Sequence, residues 1–198
     1  MQTLKFTDQN IFFTADTHYH HSNIVGTSVS KWKQGYRNFE TIEQMNDTLV
    51  NNINERVSEN DILFHLGDFA WGDRNVEWFR NRINCKNLYI ALGNHDKEIR
   101  KRAKLQSMFT KVFEFGAEIL VNDIRFVLCH YAMRTWHGWF KGSIHLYGHS
   151  HGNLPSVGRS KDVGVDTNNF YPYAAQEIII EMQNVPVALS GQEEKEIE

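Results

Sequence analysis

The sequence predicts an α/β fold in which two β-sheets pack face to face, with helices on the outside. Short apolar runs alternate with helical periodicity in the first half of the chain, and the pattern becomes mainly extended from about residue 112. Five apolar runs are followed by His, Asp or Asn side chains: residues 11–15, 62–66, 88–92, 124–129 and 144–147. Because open α/β sheets bind ligands at the carboxyl ends of their strands, we expect these five ends to form one site.

Length and composition indicate an ordinary globular protein. The chain has 198 residues and a net charge of -3, so we expect a single domain over residues 1–189 and a polar, disordered tail over residues 190–198. No apolar run approaches the length of a membrane span, and the first ten residues show no cleavable signal pattern. Cys85 and Cys129 form no disulfide framework, which favours a cytoplasmic location.

The first half of the chain contains the predicted helices. Residues 22–38 show no clean period and predict a long loop. Apolar residues at three- and four-residue spacing predict a helix over residues 42–57 and a shorter one near residues 74–84. Residues 96–108 are predicted to be helical and basic, a charge pattern more typical of a solvated helix face than of a nucleic-acid patch.

The second half is predicted to be mostly extended. Residues 118–121 and 124–129 indicate a β-hairpin closed by a two-residue turn at Asn122-Asp123. Residues 133–141 form a tryptophan-rich loop. Residues 162–166 and 176–182 predict two further extended segments.

The polar residues after these strands are of types that bind metal ions. The motifs are Asp16-Thr17-His18, Gly67-Asp68, Gly93-Asn94-His95-Asp96, His130 and Gly148-His149-Ser150-His151. A mixed nitrogen and oxygen set suits Mn, Fe, Co, Ni or Zn rather than Ca or Mg. Two such ions about 3.5–4 Å apart can clamp a phosphoryl group and activate water. Each motif alone is weak evidence for a metal site, but the five motifs in this order are strong evidence. The carboxylate of Asp68 has two oxygens, one for each ion.

In this order the five motifs resemble the calcineurin-like metallophosphoesterase family. His21, Arg37 and Val163-Gly164-Val165-Asp166 resemble a small, poorly characterised bacterial and phage branch of it. The resemblance implies a four-layer α/β/β/α sandwich of two mixed sheets flanked by helices. It also implies two divalent metal ions, manganese first, with iron, nickel, cobalt or zinc as alternatives. The implied ligands of one ion are Asp16, His18, Asp68 and His151, and those of the other are Asp68, Asn94, His130 and His149.

The resemblance further implies a mechanism. In the family, a hydroxide that bridges the two ions attacks phosphorus in line. His95 would then protonate the leaving oxygen or stabilise its charge, and Asp96 would orient the His95 ring and favour its charged form. The sequence shows no departure from the core motifs, so the resemblance implies an active enzyme.

Other residues are candidates for substrate contact. Arg37 and Arg134 are candidates for bidentate phosphate binding. His21 either faces the substrate or is a solvated loop histidine. Trp139, in the tryptophan-rich loop, is either a platform for a base or sugar or part of a lid packed on the core. By contrast, His65 and His145 lie within strands and are expected to be core histidines.

These observations favour a hydrolase that acts on a small or nucleotide-like phosphomonoester or phosphodiester. A metal-dependent nuclease is the first alternative, although a net charge of -3 provides no overall field for nucleic acid. A non-catalytic binding scaffold is the second, and the complete set of ligand motifs counts against it. A phosphoprotein phosphatase would require larger recognition insertions than this chain contains. We expect no membrane partner, and the sequence leaves the oligomeric state open.

Overall fold

A computed structural model describes residues 3–26 and 37–187 of the chain. The strands there are β1 (Leu4–Phe6), β2 (Ile11–Thr14), β3 (Ile62–His65), β4 (Asn87–Ala91), β5 (Lys111–Phe113), β6 (Gly116–Val121), β7 (Ile124–Cys129), β8 (Ile144–Tyr147), β9 (Ser160–Asp162) and β10 (Tyr173–Ala174). The α-helices are α1 (Ile42–Arg56), α2 (Asp73–Arg82), α3 (Lys97–Lys101), α4 (Ala103–Gln106) and α5 (Ala175–Gln183). Single 3₁₀ turns lie at Ser22–Ile24, Trp139–Lys141 and Val165–Thr167.

The strands form two mixed sheets. Sheet 1 has the order β10-β2-β3-β4-β5, with β2 to β5 parallel and β10 antiparallel. Sheet 2 has the order β1-β6-β7-β8-β9 and contains one antiparallel pair, the β6–β7 hairpin. A bridge between Ala15 and Gly164 joins the segment after β2 to the segment after β9. The carboxyl ends of strands from both sheets therefore meet, as the strand-end pattern predicted.

Two apolar clusters hold these layers together. The cluster between the sheets contains Phe13, whose ring stacks on Phe64 of sheet 1 at 5.8 Å and on Phe126 of sheet 2 at 5.3 Å. The other cluster lies between sheet 1 and its helices and contains Leu63 of β3 and Leu49 of α1. Successive residues of a strand face opposite sides, so Leu63 and Phe64 enter different clusters. The predicted α/β fold with two mixed sheets flanked by helices is confirmed.

Local predictions succeeded where the pattern was long or the turn was distinctive. The α1 and α2 helices lie where the apolar spacing predicted them. The β6–β7 hairpin closes at Asn122 and Asp123, both of which have positive φ (46° and 66°). Asn and Asp tolerate that conformation better than most residues, which explains why they form this turn.

Two local predictions were wrong, and a third segment is helical as predicted but divided in two. Residues 176–182 form helix α5 rather than a strand, with Ile178, Ile179 and Met182 buried and Ile180 exposed. A short apolar run does not distinguish a strand from a buried helix by itself. Residues 162–166 end strand β9 and enter a 3₁₀ turn. The predicted basic helix is two short helices, interrupted at Arg102, which has an extended φ of -120°.

Some expectations concern residues that the structure does not describe. The predicted long loop is partly described: it contains the turn at Ser22–Ile24 and a bridge between Val25 and Arg37. Residues 27–36 of that loop and the predicted tail at 190–198 lie outside the described residues. In the described part, no helix is long and apolar enough to cross a bilayer.

Candidate metal centre

The backbone is strained where the candidate ligands follow their strands. Five of them have positive φ, between 45° and 67°: Asp16, His18, Asp68, His149 and His151. This left-handed region is uncommon for non-glycine residues, and such strain concentrates at functional sites. The strand-end turns therefore direct these side chains toward a shared space at a conformational cost.

Two glycines allow these turns to approach each other. A Cβ atom on Gly93 would lie 2.2 Å from Oδ1 of Asp68, and one on Gly148 would lie 2.6 Å from Oδ2 of Asp16. Both distances are far shorter than any real contact. Any larger residue at either position would displace a candidate ligand, so the glycines of the Gly-Asn-His-Asp and Gly-His-Ser-His motifs have a steric role.

The first metal group consists of Asp16, His18 and His151. Each offers one ligand atom, and these atoms lie within 4.8 Å of one another. All three side chains are buried. Oδ2 of Asp16 accepts a hydrogen bond of 2.8 Å from the backbone of His149, whereas its buried Oδ1 has no partner. An unsatisfied buried carboxylate oxygen is costly, and a bound cation would satisfy it.

The second metal group consists of Asp68, His130 and His149, whose ligand atoms also lie within 4.8 Å of one another. Nδ1 of His130 donates to the carbonyl of Leu66 at 2.8 Å, which leaves Nε2 as the nitrogen available to a cation. That Nε2 lies 3.1 Å from the side-chain oxygen of Asn94. The amide of Asn94 is thus placed to complete this group.

Asp68 lies between the two groups. Its Oδ2 atom is 3.6 Å from Nε2 of His18, in the first group, and 3.5 Å from Nε2 of His130, in the second. A carboxylate that contacts ligands of both groups can be shared by two cations. The structure therefore brings all seven sequence-predicted ligands together, with Asp68 at the centre.

The electrostatics of both groups suit cations. Burial raises the pKa of the Asp16 carboxyl well above its usual range, and the charge of Asp68 raises it further. Burial also lowers the pKa of His18 well below its ordinary value and that of His130 to about 4. The imidazoles are therefore neutral at pH 7, which is the form that binds a metal ion. Divalent cations would supply the positive charge that these clustered carboxylates lack, so the donor set fits them.

Comparison with known proteins agrees with this geometry. Residues 10–160 match the family model described as calcineurin-like phosphoesterase. The chain belongs to that family. The uncharacterized protein MJ1445 of Methanocaldococcus jannaschii is 29% identical over 180 residues, which cover 86% of this chain and 90% of that protein.

Solved structures also match this calcineurin-like phosphoesterase. The protein of unknown function AQ665 from Aquifex aeolicus has a TM-score of 0.64 and 20% identity, and the match covers 88% of this chain and 100% of that one. This likeness shows a shared fold. A novel archaeal phosphodiesterase has a TM-score of 0.47 and 18% identity, with 79% and 82% of the two chains covered.

In this phosphoesterase, a buried network supports the first metal group. Nδ1 of His151 contacts Oδ2 of Asp166 at 2.7 Å, and Asp166 also accepts two hydrogen bonds of 2.8 Å from Arg37. Burial opposes ionisation of Asp166, but the charge of Arg37 and the bond from His151 hold its pKa well below the usual range. Asp166 is therefore an anion that orients His151.

The structure places Arg37 inside this network rather than on a pocket wall. Its side chain is fully buried, and all five N–H groups have partners: both oxygens of Asp166, the carbonyls of Asp16 and Thr17, and the sulfur of Met45. No donor remains for a phosphate. The guanidinium is a structural cation beneath the first metal group, which corrects the expectation of a bidentate phosphate contact.

The structure also separates the roles expected of His95 and Asp96. The His95 ring is exposed, and its centroid lies 5.4 Å from that of His18. The Asp96 carboxylate is buried and accepts backbone hydrogen bonds from Asp68 (2.8 Å), Phe69 (2.9 Å) and Gly93 (2.8 Å). These bonds engage both of its oxygens. Asp96 thus holds two strand-end turns together, which differs from the expected contact with the His95 ring.

The remaining substrate-contact candidates lie in different environments. The ring of His21 stacks on the indole of Trp71, with centroids 3.9 Å apart. Arg134 is exposed, and no hydrogen bond or ion pair connects it to either metal group in the described part of the chain. Trp139 is half-buried and meets Trp136 edge to face at 6.5 Å. Its role in substrate binding stays a prediction.

Both expected core histidines are buried and bonded. His65 contacts the Thr17 hydroxyl through Nε2 at 2.8 Å. His145 bonds the Val127 carbonyl through Nδ1 at 2.9 Å, and its Nε2 accepts the backbone N–H of Met133 at 3.0 Å. The second of these contacts anchors the start of the tryptophan-rich loop to strand β8.

Sequence reasoning missed two aromatic residues beside the metal groups of this phosphoesterase. Trp71 lies three residues after Asp68, and its ring centroid is 5.2 Å from that of His95. Tyr131 directly follows His130, and its ring is 4.9 Å from that of His149. Both aromatics stand next to a ligand motif in the chain, and that adjacency is the signal that could have identified them.

Proposed function

We propose that this calcineurin-like phosphoesterase hydrolyses a small or nucleotide-like phosphoester with the aid of two divalent metal ions. The observation that carries the proposal is the position of Asp68, whose Oδ2 atom lies within 3.6 Å of a histidine from each metal group. A pair of adjacent cations suits phosphoryl transfer because it neutralises charge on the attacking and the leaving oxygens together.

Each of the two ions would have its own set of ligands, with Asp68 in both sets. Asp16, His18 and His151 would hold the first ion together with Asp68. Asp68, His130 and His149 would hold the second, with Asn94 beside His130. When bound, the ions polarise the phosphoryl oxygens and lower the pKa of water. The mixed donor set suits manganese, iron, nickel, cobalt or zinc, and the family resemblance puts manganese first.

We assign His95 as the residue that acts on the leaving group. It is exposed, adjacent to the His18 ring, and its backbone N–H donates to Oδ1 of Asp68 at 2.8 Å. From that position the imidazole would face a phosphate bound next to the first metal group. It would protonate the leaving oxygen or stabilise its negative charge.

The proposal includes a cytoplasmic location and no membrane partner, with nucleic acid as the less favoured substrate. The two cysteines, Cys85 and Cys129, are buried and unpaired, which suits a reducing compartment. The net charge of -3 offers little general attraction to nucleic acid, so we favour a small ester over a polymer.

The test is metal-dependent hydrolysis of p-nitrophenyl phosphate and bis-p-nitrophenyl phosphate, with Mn, Ni, Co, Fe and Zn added in turn. We expect activity that a chelator removes and that His149→Ala abolishes. His137→Ala is the matched control, because His137 is exposed and pairs with Glu118 instead of a metal group. A folded, metal-loaded protein that cleaves neither ester would contradict the proposal.

A further inference from the structure

Trp71 forms an aromatic wall next to His21 and His95, whose rings lie 5.5 Å and 5.4 Å from the ring of His18 in the first metal group. Its backbone N–H donates to the carbonyl of Tyr19 at 2.9 Å, which ties the segment after β3 to the segment after β2. The His21 ring lies flat on the indole, with an angle of 4° between the planes, and the His95 ring lies 5.2 Å away. The residue is still 43% exposed. This stacked pair therefore presents aromatic surface that the protein does not cover.

Tyr131 forms a second aromatic wall, beside the second metal group. Its ring centroid lies 4.9 Å from those of both His130 and His149, and it meets each ring edge-on. Tyr131 is 39% exposed, and its hydroxyl has no hydrogen-bond partner among the described residues. It also presents aromatic surface next to a buried ligand.

Each wall lies on the side of a different metal group, so phosphorus bound to both groups would have one wall on each side. Asp68 contacts a histidine of each group, and in the described part of the chain no ring contact joins Trp71 to Tyr131. The first wall is on the side of His95, the residue assigned to the leaving group. Exposed aromatic rings bind flat groups such as nucleobases by stacking, with little dependence on the identity of the base.

We propose that the substrates are phosphodiesters with a flat aromatic group on each side of phosphorus, one against Trp71 and the other against Tyr131. This inference rests on the proposed function, because it requires a phosphoester at the two metal groups. A diester has two organic groups and a monoester only one, so two walls fit a diester. The leaving group faces Trp71, and the retained group faces Tyr131.

Three esters with the same leaving group test the assignment: thymidine 5′-(p-nitrophenyl phosphate), methyl p-nitrophenyl phosphate and p-nitrophenyl phosphate. With the manganese-loaded full chain, we expect kcat/KM for the thymidine ester to exceed that for the methyl ester by about tenfold, from stacking of the base. Tyr131→Leu should remove this preference, and Tyr131→Phe should keep it. Trp71→Leu should lower kcat/KM for both diesters by a similar factor.

Trp78→Leu is the matched control, because Trp78 is a more exposed tryptophan (55%) on helix α2 without a ring contact to a described site residue. It should behave as the wild type. An unchanged thymidine-to-methyl ratio in Tyr131→Leu would overturn the inference, as would a higher kcat/KM for the monoester than for both diesters. Either result leaves the proposed function intact. Failure to cleave any of the three esters would instead contradict the proposed function.

A binding measurement decides the inference even for an inactive protein. The zinc-loaded full chain is titrated with thymidine 5′-(p-nitrophenyl phosphorothioate), and the indole N–H resonances are followed by NMR. Trp71→Phe and Trp78→Phe assign the two resonances by their loss. We expect the Trp71 resonance to shift and the Trp78 resonance to stay in place. A Trp71 resonance that moves no further than that of Trp78 would overturn the inference.

Discussion

The Nδ1 atom of His151 lies 2.7 Å from the Oδ2 atom of Asp166, and this contact links the first metal group to the buried Arg37. Arg37 continues the link to the carbonyls of Asp16 and Thr17. One guanidinium therefore connects the segment after β2 with the residues after β9. The ring of His151 is held in place by charge as well as by packing.

Asp166→Asn tests this support of the metal group. The amide keeps the shape of the side chain but loses the negative charge that orients His151. Loss of such an outer partner typically weakens metal binding by about 10- to 100-fold. We expect this loss at the first metal group and a smaller one at the second, measured by zinc titration against a competing chelator.

Asp47→Asn is the control for this titration, since Asp47 pairs with Arg82 at the surface. It should leave both zinc affinities as in the wild type. Equal weakening of the two metal groups in Asp166→Asn would show a general loss of structure instead of a local loss of orientation.

Arg37→Met tests the same network through stability. The substitution leaves the Asp166 charge and two backbone carbonyls without their partner, and breaking a buried ion pair in this way costs about 3–5 kcal/mol. We expect that decrease in the free energy of unfolding in urea. Arg37→Lys should recover little of the lost stability, because an ammonium group cannot reproduce the planar fork of donors of the guanidinium.

The comparison for Arg37 is Arg82→Met, which breaks the pair between Arg82 and Asp47. Both of those side chains are substantially exposed (39% and 59%). An exposed pair contributes at most about 1 kcal/mol, so the two methionine variants should differ clearly in urea midpoint. Similar midpoints would mean that Arg37 does not stabilise the fold.

Asp68→Asn and His18→Ala distinguish a shared ligand from a ligand of one group. Because Oδ2 of Asp68 contacts histidines of both groups, Asp68→Asn should reduce occupancy of both sites together. His18→Ala should chiefly empty the first. Elemental analysis after equilibration with limiting zinc gives the metal content per chain. Retention of one full equivalent by Asp68→Asn would contradict the shared role.

His95→Ala separates catalysis from metal binding. His95 is exposed beside His18 and belongs to neither metal group, so we expect full metal content. Activity should fall by about 10²–10⁴-fold, the contribution of a positioned general acid. The loss should be smaller for aryl esters, whose leaving groups need little protonation, than for alkyl esters.

Two outcomes would change the assignment of His95. Loss of metal in proportion to the loss of activity would show that His95 supports the turn at Asn94 and has no role as a proton donor. Equal losses on aryl and alkyl esters would make it a fixed charge and not a proton donor.

Local sequence patterns predicted most of the fold and the positions of the candidate ligands at strand ends. Strand β3 and the turn to Asp68 are recognisable because an apolar run followed by Gly67-Asp68 encodes both within a few residues. Helix α1 is recognisable because its apolar spacing extends over several turns. Helix α5 was predicted as a strand because its apolar run is too short for its period to be read.

The sequence by itself determined which residues are candidate metal ligands and that they stand at strand ends. Only the tertiary structure decided that Arg37 is bonded to Asp166, 129 residues away, and that Asp96 binds backbone turns. It also decided that Trp71 and Tyr131 are exposed and in ring contact with His95 and His149, whereas Arg37 is buried. The physical reason is that turns and strands follow from neighbouring residues. Partners of buried charges and exposure of aromatic rings, by contrast, depend on how the two sheets and their connecting segments pack.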